Sequence, residues 1–215
     1  HLQGADLSEA QMQDAQLSEA RMQGVDCAGA LFQRANLCGS QLQGARVYKA
    51  KMHRVDLTET QLQEADLAYA ELNGARLAVA NLQWADLSWA CLRAAVLFRA
   101  ELQRTILIGA RLPGARLSYA NLQSAELAGA QLQGVNLSSV IISDETNLSG
   151  AALTGAGLNS VDQTTMRQLK AHTDAPLLFH AGEDLAYNSF LTQWLAFAAA
   201  LDPPVTIAPD YDHTD

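Results

Sequence analysis

Apolar residues recur at every fifth position along most of this chain. From Leu2 to Ile142 each fifth residue is apolar, and leucine fills 22 of these 29 positions. A second series of small residues, mostly alanine, begins at Ala5 and lies two positions before each apolar centre. After one inserted residue the pattern resumes at three further leucines, which are Leu148, Leu153 and Leu158. The repeating unit is therefore alanine, a polar residue, leucine and two variable residues.

This spacing predicts a solenoid of short, regularly turning segments. A period of five fits neither an α-helix, with about 3.6 residues per turn, nor a flat strand, with a period of about two. If the chain turns once in each unit, the leucine and alanine series both point inward and fill one axis. Four units would make a square coil of about 20 residues, with successive coils at the strand spacing of roughly 4.8 Å. The period alone does not fix the number of sides.

The unit resembles that of the pentapeptide-repeat family, A(D/N)Lxx. The segments ADLSE at 5–9, ANLCG at 35–39 and ADLSW at 85–89 carry the resemblance, which extends over about three quarters of the 215 residues. The resemblance implies an all-β solenoid over residues 1–161, built as a right-handed quadrilateral β-helix of roughly eight coils.

The order of charges along the chain agrees in part with such a coil. Arg46 falls between Asp26 and Asp66 in one predicted column of residues 20 positions apart. Opposite charges also meet in two other columns, where Asp56 lies next to Arg76 and Lys51 next to Glu71. Exposed pairs of this kind contribute at most about 1 kcal/mol each. We therefore interpret them as support for the register of the coils rather than as a functional site.

The net charge limits the kind of partner. The chain carries 14 basic and 23 acidic residues, a net charge of −9, of which −3 falls in residues 1–161 and −6 in residues 162–215. Proteins that bind nucleic acid normally present a basic domain or face. We therefore predict no nucleic-acid partner.

Outward aromatic and aliphatic side chains cluster on neighbouring predicted coils. Tyr69 and Trp89 are 20 residues apart on the face that begins at Ala5, so we expect them to stack, with Trp84 just across a corner. The candidate partner patch comprises Tyr69, Trp84, Trp89, Ile106 and Ile108. Such a cluster can mark a binding surface. The alternative is that bulky residues at the turns simply cover the backbone.

A second candidate surface is basic. The face that begins at Ala10 has a net charge of +3, whereas the face that begins at Ala5 has −4. The cations of this basic face are Arg34, Lys51, Arg54, Arg93 and Arg111. A protein partner could dock on either surface, and we predict a protein partner rather than nucleic acid or a membrane.

The periodicity ends near Gln163, where a polar residue takes the place of a centre. Helices are predicted at Thr165–His172 and Asp184–Leu201. We expect residues 162–201 to form a helical cap over the open edge of the last coil, and residues 202–215 to form a mobile acidic tail. The first coil has no visible cap, so we expect that upstream sequence covers it or that two rods meet there in an end-to-end homodimer.

Motifs of enzymes, metal sites and cofactor sites are absent from the sequence. It contains no GxSxG, P-loop, GxGxxG or HExxH segment, so we predict no catalytic residue, metal or cofactor. Cys27 is at a centre and should be buried, while Cys38 and Cys91 should lie on different faces, too far apart to bond. We recognise no secretory signal, and the helix predicted near the C-terminus is too short and polar to span a membrane. We therefore expect a cytoplasmic protein.

Two classes of function fit these features. The first is a non-enzymatic scaffold that binds a protein through the exposed faces of a stiff rod. The second follows from the resemblance, because some members of the family mimic DNA and act on DNA gyrase, conferring resistance to quinolones or toxins. A mimic needs a strongly negative rod, and this rod is nearly neutral, has a basic face and has mostly leucine rather than phenylalanine centres. The sequence therefore favours the scaffold.

Overall fold

The repeat region forms a four-sided coil. The computed structural model describes residues 1–157, 178–180 and 206–208. From Asp6 to Asn121, the residue before each centre forms a parallel bridge with the residue 20 positions later, as between Asp6 and Asp26. Four five-residue units therefore complete one coil, which confirms the predicted period and the number of sides.

We name the four faces after the first units that lie on them. The first face begins with residues 5–9, the second with 10–14, the third with 15–19 and the fourth with 20–24, and each recurs 20 residues later. One residue is inserted after Ile142, so that pairing then joins residues 21 positions apart, as in Glu126 with Asn147. The coils continue through this insertion without losing register.

A tight turn joins each face to the next. The N–H of each alanine-series residue donates to the carbonyl of the centre three residues earlier, as from Ala85 to Leu82 at 3.0 Å. The third residue of each turn has a φ near +60°, and glycine occupies 12 of these positions. Other residue types in this left-handed conformation cost about 1 kcal/mol or more. The 18 non-glycine residues found at these positions therefore cost free energy that glycine would not.

The two apolar series fill the axis of the rod, as the sequence predicts. Leucine centres such as Leu77 and Leu87 and alanines such as Ala85 are fully buried. The first coil differs, because its apolar residues, including Leu7, are only partly buried. The end-to-end contact between two rods would use this coil, and it stays a prediction.

Hydroxyl groups inside the core are paired in three of four cases. Thr60, Thr105 and Thr146 each replace an alanine, and each donates its hydroxyl to the carbonyl of the leucine in the coil below at 2.8–2.9 Å. Ser40 occupies an equivalent place, but its buried Oγ has no hydrogen-bond partner. A buried hydroxyl without a partner costs free energy that an alanine would not.

These contacts predict opposite effects for two similar substitutions. Ser40→Ala should leave the free energy of unfolding unchanged or raise it by about 1 kcal/mol, because it removes an unpaired group. Thr60→Val should lower it by roughly 1–3 kcal/mol, because it removes a donor from the carbonyl of Leu37 without changing the volume of the side chain. Urea unfolding of both variants measures this difference, and equal losses of stability would contradict it.

Ion pairs across the coils match two of the three predicted columns. Arg46 contacts Asp26 at 2.8 Å and Arg76 contacts Asp56 at 3.7 Å. The expected pair of Lys51 with Glu71 does not form. Although the two residues bridge through their backbones, the carboxylate of Glu71 lies 2.7 Å from Nε2 of His53 instead. His53 therefore takes the place that was predicted for Lys51 in this column.

Two short strands are described beyond the coils. Strand β1, Leu178–His180, pairs in parallel with strand β2, Thr206–Ala208, with Phe179 opposite Ile207. No strand was predicted at either place. The predicted helices, most of the 162–201 cap and most of the 202–215 tail lie outside the described residues. Within the described part of the chain, no helix has the length and hydropathy needed to cross a bilayer.

Candidate functional site

Two tryptophans stand at the two edges of the first face in one coil. Trp84 is the last residue of a fourth-face unit and Trp89 is the last residue of the first-face unit that follows. Their side chains are 55% and 53% exposed. On the next coil of the same face, Ile108 is exposed and Ile106 is half-buried. We call the surface of Trp84, Trp89, Ile106 and Ile108 the tryptophan face.

The ring of Trp89 lies on the backbone of the next coil. A Cβ atom added to Gly109 would come within 2.7–2.8 Å of three atoms of this indole, closer than real contacts allow. Gly109 also has a φ of +64°. Glycine is therefore needed there both for the turn and for the indole, and Trp89 is held in one position while half of its surface stays open to solvent.

Trp84 is held by a cation. The guanidinium of Arg104, one coil further along, lies 4.5 Å from the centre of the Trp84 ring. Cation–π contacts at exposed sites contribute about 0.5–1 kcal/mol. The contact covers one side of the indole and leaves more than half of the residue exposed. Both tryptophans are thus oriented before any partner binds.

Tyr69 belongs to a different cluster from the one the sequence predicts. The centres of the Tyr69 and Tyr48 rings lie 5.8 Å apart in an edge-to-face arrangement, and the ammonium of Lys49 lies 5.0 and 6.0 Å from the centres of the Tyr48 and Tyr69 rings. The expected stacking of Tyr69 with Trp89 is absent among the described ring contacts. Trp89 lies on Gly109 in the following coil, whereas Tyr69 turns toward the preceding one.

A similar cluster on the third face escaped the sequence analysis. Phe98 and Tyr119 meet edge to face at 5.7 Å, and the guanidinium of Arg99 lies 5.2 Å from the first ring and 5.7 Å from the second. The signal in the sequence is an aromatic residue followed by a cation, with a second aromatic residue 21 positions after the first. Tyr48, Lys49 and Tyr69 follow the same rule.

The basic face is not uniform along the rod. The guanidinium of Arg34 donates two hydrogen bonds to the carboxylate of Asp14, one of them from Nε at 2.7 Å. These hydrogen bonds hold the pKa of the Asp14 carboxyl below its usual value. Lys51 and Arg54 have no carboxylate within ion-pair distance in the described residues. Arg93 and Arg111 are also unpaired there, and both line a shallow depression of about 170 Å³ with Asn73, Cys91 and Pro113.

The thiols of Cys27 and Cys38 show no sign of activation. Burial, with smaller contributions from Asp26 and Asp6, raises the pKa of the Cys27 thiol to about 12. Burial also raises the pKa of Cys38. All three cysteines are free, and residues 1–157 contain no group of three potential metal ligands.

Comparison with known proteins identifies the class of this solenoid. The family model described as pentapeptide repeats matches eight copies, at residues 1–24, 20–58, 60–97 and 95–138. The chain belongs to the pentapeptide-repeat family, whose fold is the right-handed quadrilateral β-helix. Pentapeptide repeat proteins are generally non-enzymatic scaffolds.

Solved structures of other pentapeptide repeat proteins are similar to this chain. HetL, involved in heterocyst differentiation regulation in the cyanobacterium Nostoc sp. strain PCC 7120, is 30% identical over 71% of this chain and 73% of its own, with a TM-score of 0.33. Rfr23 from the cyanobacterium Cyanothece 51142 is 31% identical over 51% and 60%, with a TM-score of 0.22. QnrB1, a plasmid-mediated fluoroquinolone resistance protein, is 16% identical over 86% and 94%, with a TM-score of 0.42. No curated protein matches the chain.

Proposed function

We propose that this protein is a non-enzymatic scaffold that binds a protein partner through the tryptophan face. The observation that carries the proposal is the position of Trp84 and Trp89, two half-exposed indoles that are already fixed in place by Arg104 and Gly109. Tryptophan is among the residues that contribute most to binding energy at protein interfaces. Side chains that are oriented in advance lose less entropy when they bind.

The backbone conformation at both tryptophans provides a way to test the proposal. Each occupies the third position of a turn, with φ of 63° at Trp84 and 59° at Trp89, where glycine would avoid the strain. Sixteen other non-glycine residues share this left-handed conformation, so the effect of replacing each indole by glycine, rather than the conformation itself, tells the two interpretations apart. If the indoles served only to cover the backbone, glycine at the same positions would be expected to weaken the rod.

The charge on the rod supports a scaffold over a DNA mimic that acts on gyrase. A mimic would present carboxylates around the rod, as phosphates surround a duplex. Instead, the second face carries Arg93 and Arg111, neither of which has a carboxylate partner in residues 1–157. Recovery of a type II topoisomerase as the partner would nevertheless favour the mimic.

A pull-down from an extract of the source cells tests the proposal. The full chain should recover a protein that Trp89→Asp no longer recovers, because a carboxylate at the centre of an apolar contact cannot be desolvated cheaply. Ile141→Asp is the matched control, since Ile141 is similarly exposed but lies more than two coils further along the rod, on the fourth face. It should recover the same protein as the unaltered chain. Equal recovery by the chain and by Trp89→Asp would contradict the proposal.

A further inference from the structure

Charge is divided between two sides of the rod from the middle coils onward. On the second and third faces, residues 90–99, 110–119 and 130–139 contain four arginines and no lysine, aspartate or glutamate. On the fourth and first faces of these coils, residues 80–89, 100–109, 120–129 and 140–150 contain five carboxylates and a single cation, Arg104. Because units 20 residues apart stack directly, these sequence intervals form two continuous surfaces.

Three of the four arginines of the basic side are free to bind an external group. Arg93, Arg111 and Arg116 are exposed, and no carboxylate of the described coils lies within ion-pair distance of any of them. In contrast, Arg34, Arg46 and Arg76 are each paired with an aspartate of the preceding coil. The glutamate next to the depression, Glu71, is bonded to His53.

The fourth arginine is held by aromatic rings. Arg99 packs against Phe98 and Tyr119 at the corner that follows the third face. No carboxylate of the described coils lies within ion-pair distance of its guanidinium. We call the surface of Arg93, Arg99, Arg111, Arg116, Phe98 and Tyr119 the arginine face. Arginine and aromatic residues are enriched at protein interfaces, whereas lysine, aspartate and glutamate are depleted.

We propose that the arginine face binds an acidic segment of a protein, with carboxylates paired to Arg93 and Arg111 in the depression beside Pro113. The planar guanidinium matches a carboxylate through two parallel hydrogen bonds. A peptide that crosses the corner from the second face to the third can place a further carboxylate next to Arg116. This surface covers the second and third faces, whereas the tryptophan face covers the first face and its corner with the fourth, so the inference goes beyond the function proposed above.

A protein segment fits this surface better than nucleic acid does. The two rings contact each other edge to face, so they are not parallel platforms on which successive bases stack. The acidic fourth and first faces would also repel the remainder of a long polyanion, whereas a short acidic segment contacts the arginine face alone. The net charge of −9 acts against a duplex in the same way.

Fluorescence anisotropy with a labelled glutamate-rich peptide and the full chain tests this assignment. We expect saturable binding that weakens as salt is added. The double variant Arg93→Ala/Arg111→Ala should weaken the binding by about tenfold or more, because the peptide's carboxylates lose both guanidinium groups that they pair with. Arg34→Ala is the control on the same face, because Arg34 is already paired with Asp14, and it should change the affinity by less than about twofold.

Three results would overturn the assignment. The first is no saturable binding of the peptide, and the second is equal binding by the unaltered chain and the Arg93→Ala/Arg111→Ala variant. The third is tighter binding of a duplex DNA of equal charge at the same salt concentration, which would make the surface a nucleic-acid site. Trp84→Gly should leave peptide binding unchanged, so failure of this inference is distinguishable from failure of the tryptophan face.

Discussion

Replacement of Leu77 by alanine should lower the free energy of unfolding by about 2–5 kcal/mol. Leu77 is a centre of the third face and is fully buried. The coils above and below it are held by backbone hydrogen bonds at fixed spacing, so the axis cannot collapse into the space that the side chain leaves. The loss should therefore fall in the upper part of that range. Equilibrium unfolding in guanidinium measures it directly.

The same substitution in the first coil is the matched control. Leu7→Ala removes the same atoms from a centre that is only partly buried. In a solenoid each coil contacts only its neighbours, so a change at the end disturbs a single interface. We expect a loss of less than about 1.5 kcal/mol, because less apolar surface is uncovered. Equal losses for Leu7→Ala and Leu77→Ala would contradict the account of the core.

Gly109→Ala should lower the free energy of unfolding by about 2–4 kcal/mol. About 1 kcal/mol comes from placing a Cβ in a left-handed turn, because φ is +64°. The remaining 1–3 kcal/mol, approximately, comes from the clash with the indole of Trp89, which must move or be strained. Gly114→Ala is the control, since its φ is +68° and nothing lies near the added Cβ. It should lower the free energy of unfolding only by the approximately 1 kcal/mol that a Cβ in a left-handed turn costs.

A double substitution separates the two causes. In the Gly109→Ala background, Trp89→Ala should restore the part of the stability that the clash removes, so the two changes should couple by about 1–3 kcal/mol. Thermal or urea unfolding of the four proteins in the cycle gives this coupling. Strictly additive effects would show that the indole of Trp89 does not lie on Gly109 in solution.

The core and the stacking of the coils could be predicted from the sequence, because both depend on a strict period. The inward direction of Leu77 and Ala85 follows from the two apolar series alone. The 20-residue pairing that links Asp26 with Arg46 needed the family resemblance as well, since a period of five does not fix the number of sides. Structure then confirmed each of these features within residues 1–157.

The surface was harder to predict, because a side chain at a corner can turn toward either neighbouring coil. Tyr69 turns back to Tyr48, whereas Trp89 turns forward onto Gly109. Spacing alone placed these two residues in one column but could not give the direction of their rings. The same ambiguity explains why His53 rather than Lys51 bonds to Glu71.

The basic face was predicted as one stripe because only its own column of residues was considered. Arg34 is paired with Asp14. Arg93 and Arg111 are unpaired within the described coils and share one side of the rod with Arg116, which lies across the next corner on the third face. The division of charge between two sides becomes visible only when adjacent faces are combined coil by coil. The sequence contains this division, but it is spread over two adjacent faces and does not show in the column of any single face.

The most direct test of the central claim compares affinity with stability in one variant. Trp84→Gly removes an exposed indole from a position that favours glycine, and Glu64→Gly makes the same backbone change one coil earlier in the same column. For the protein recovered by the pull-down, we predict that Trp84→Gly raises Kd about 30-fold or more, whereas Glu64→Gly leaves it unchanged. Neither variant should lower the unfolding temperature. An unchanged Kd for Trp84→Gly, together with a lower unfolding temperature, would show that the tryptophan covers the backbone and binds nothing.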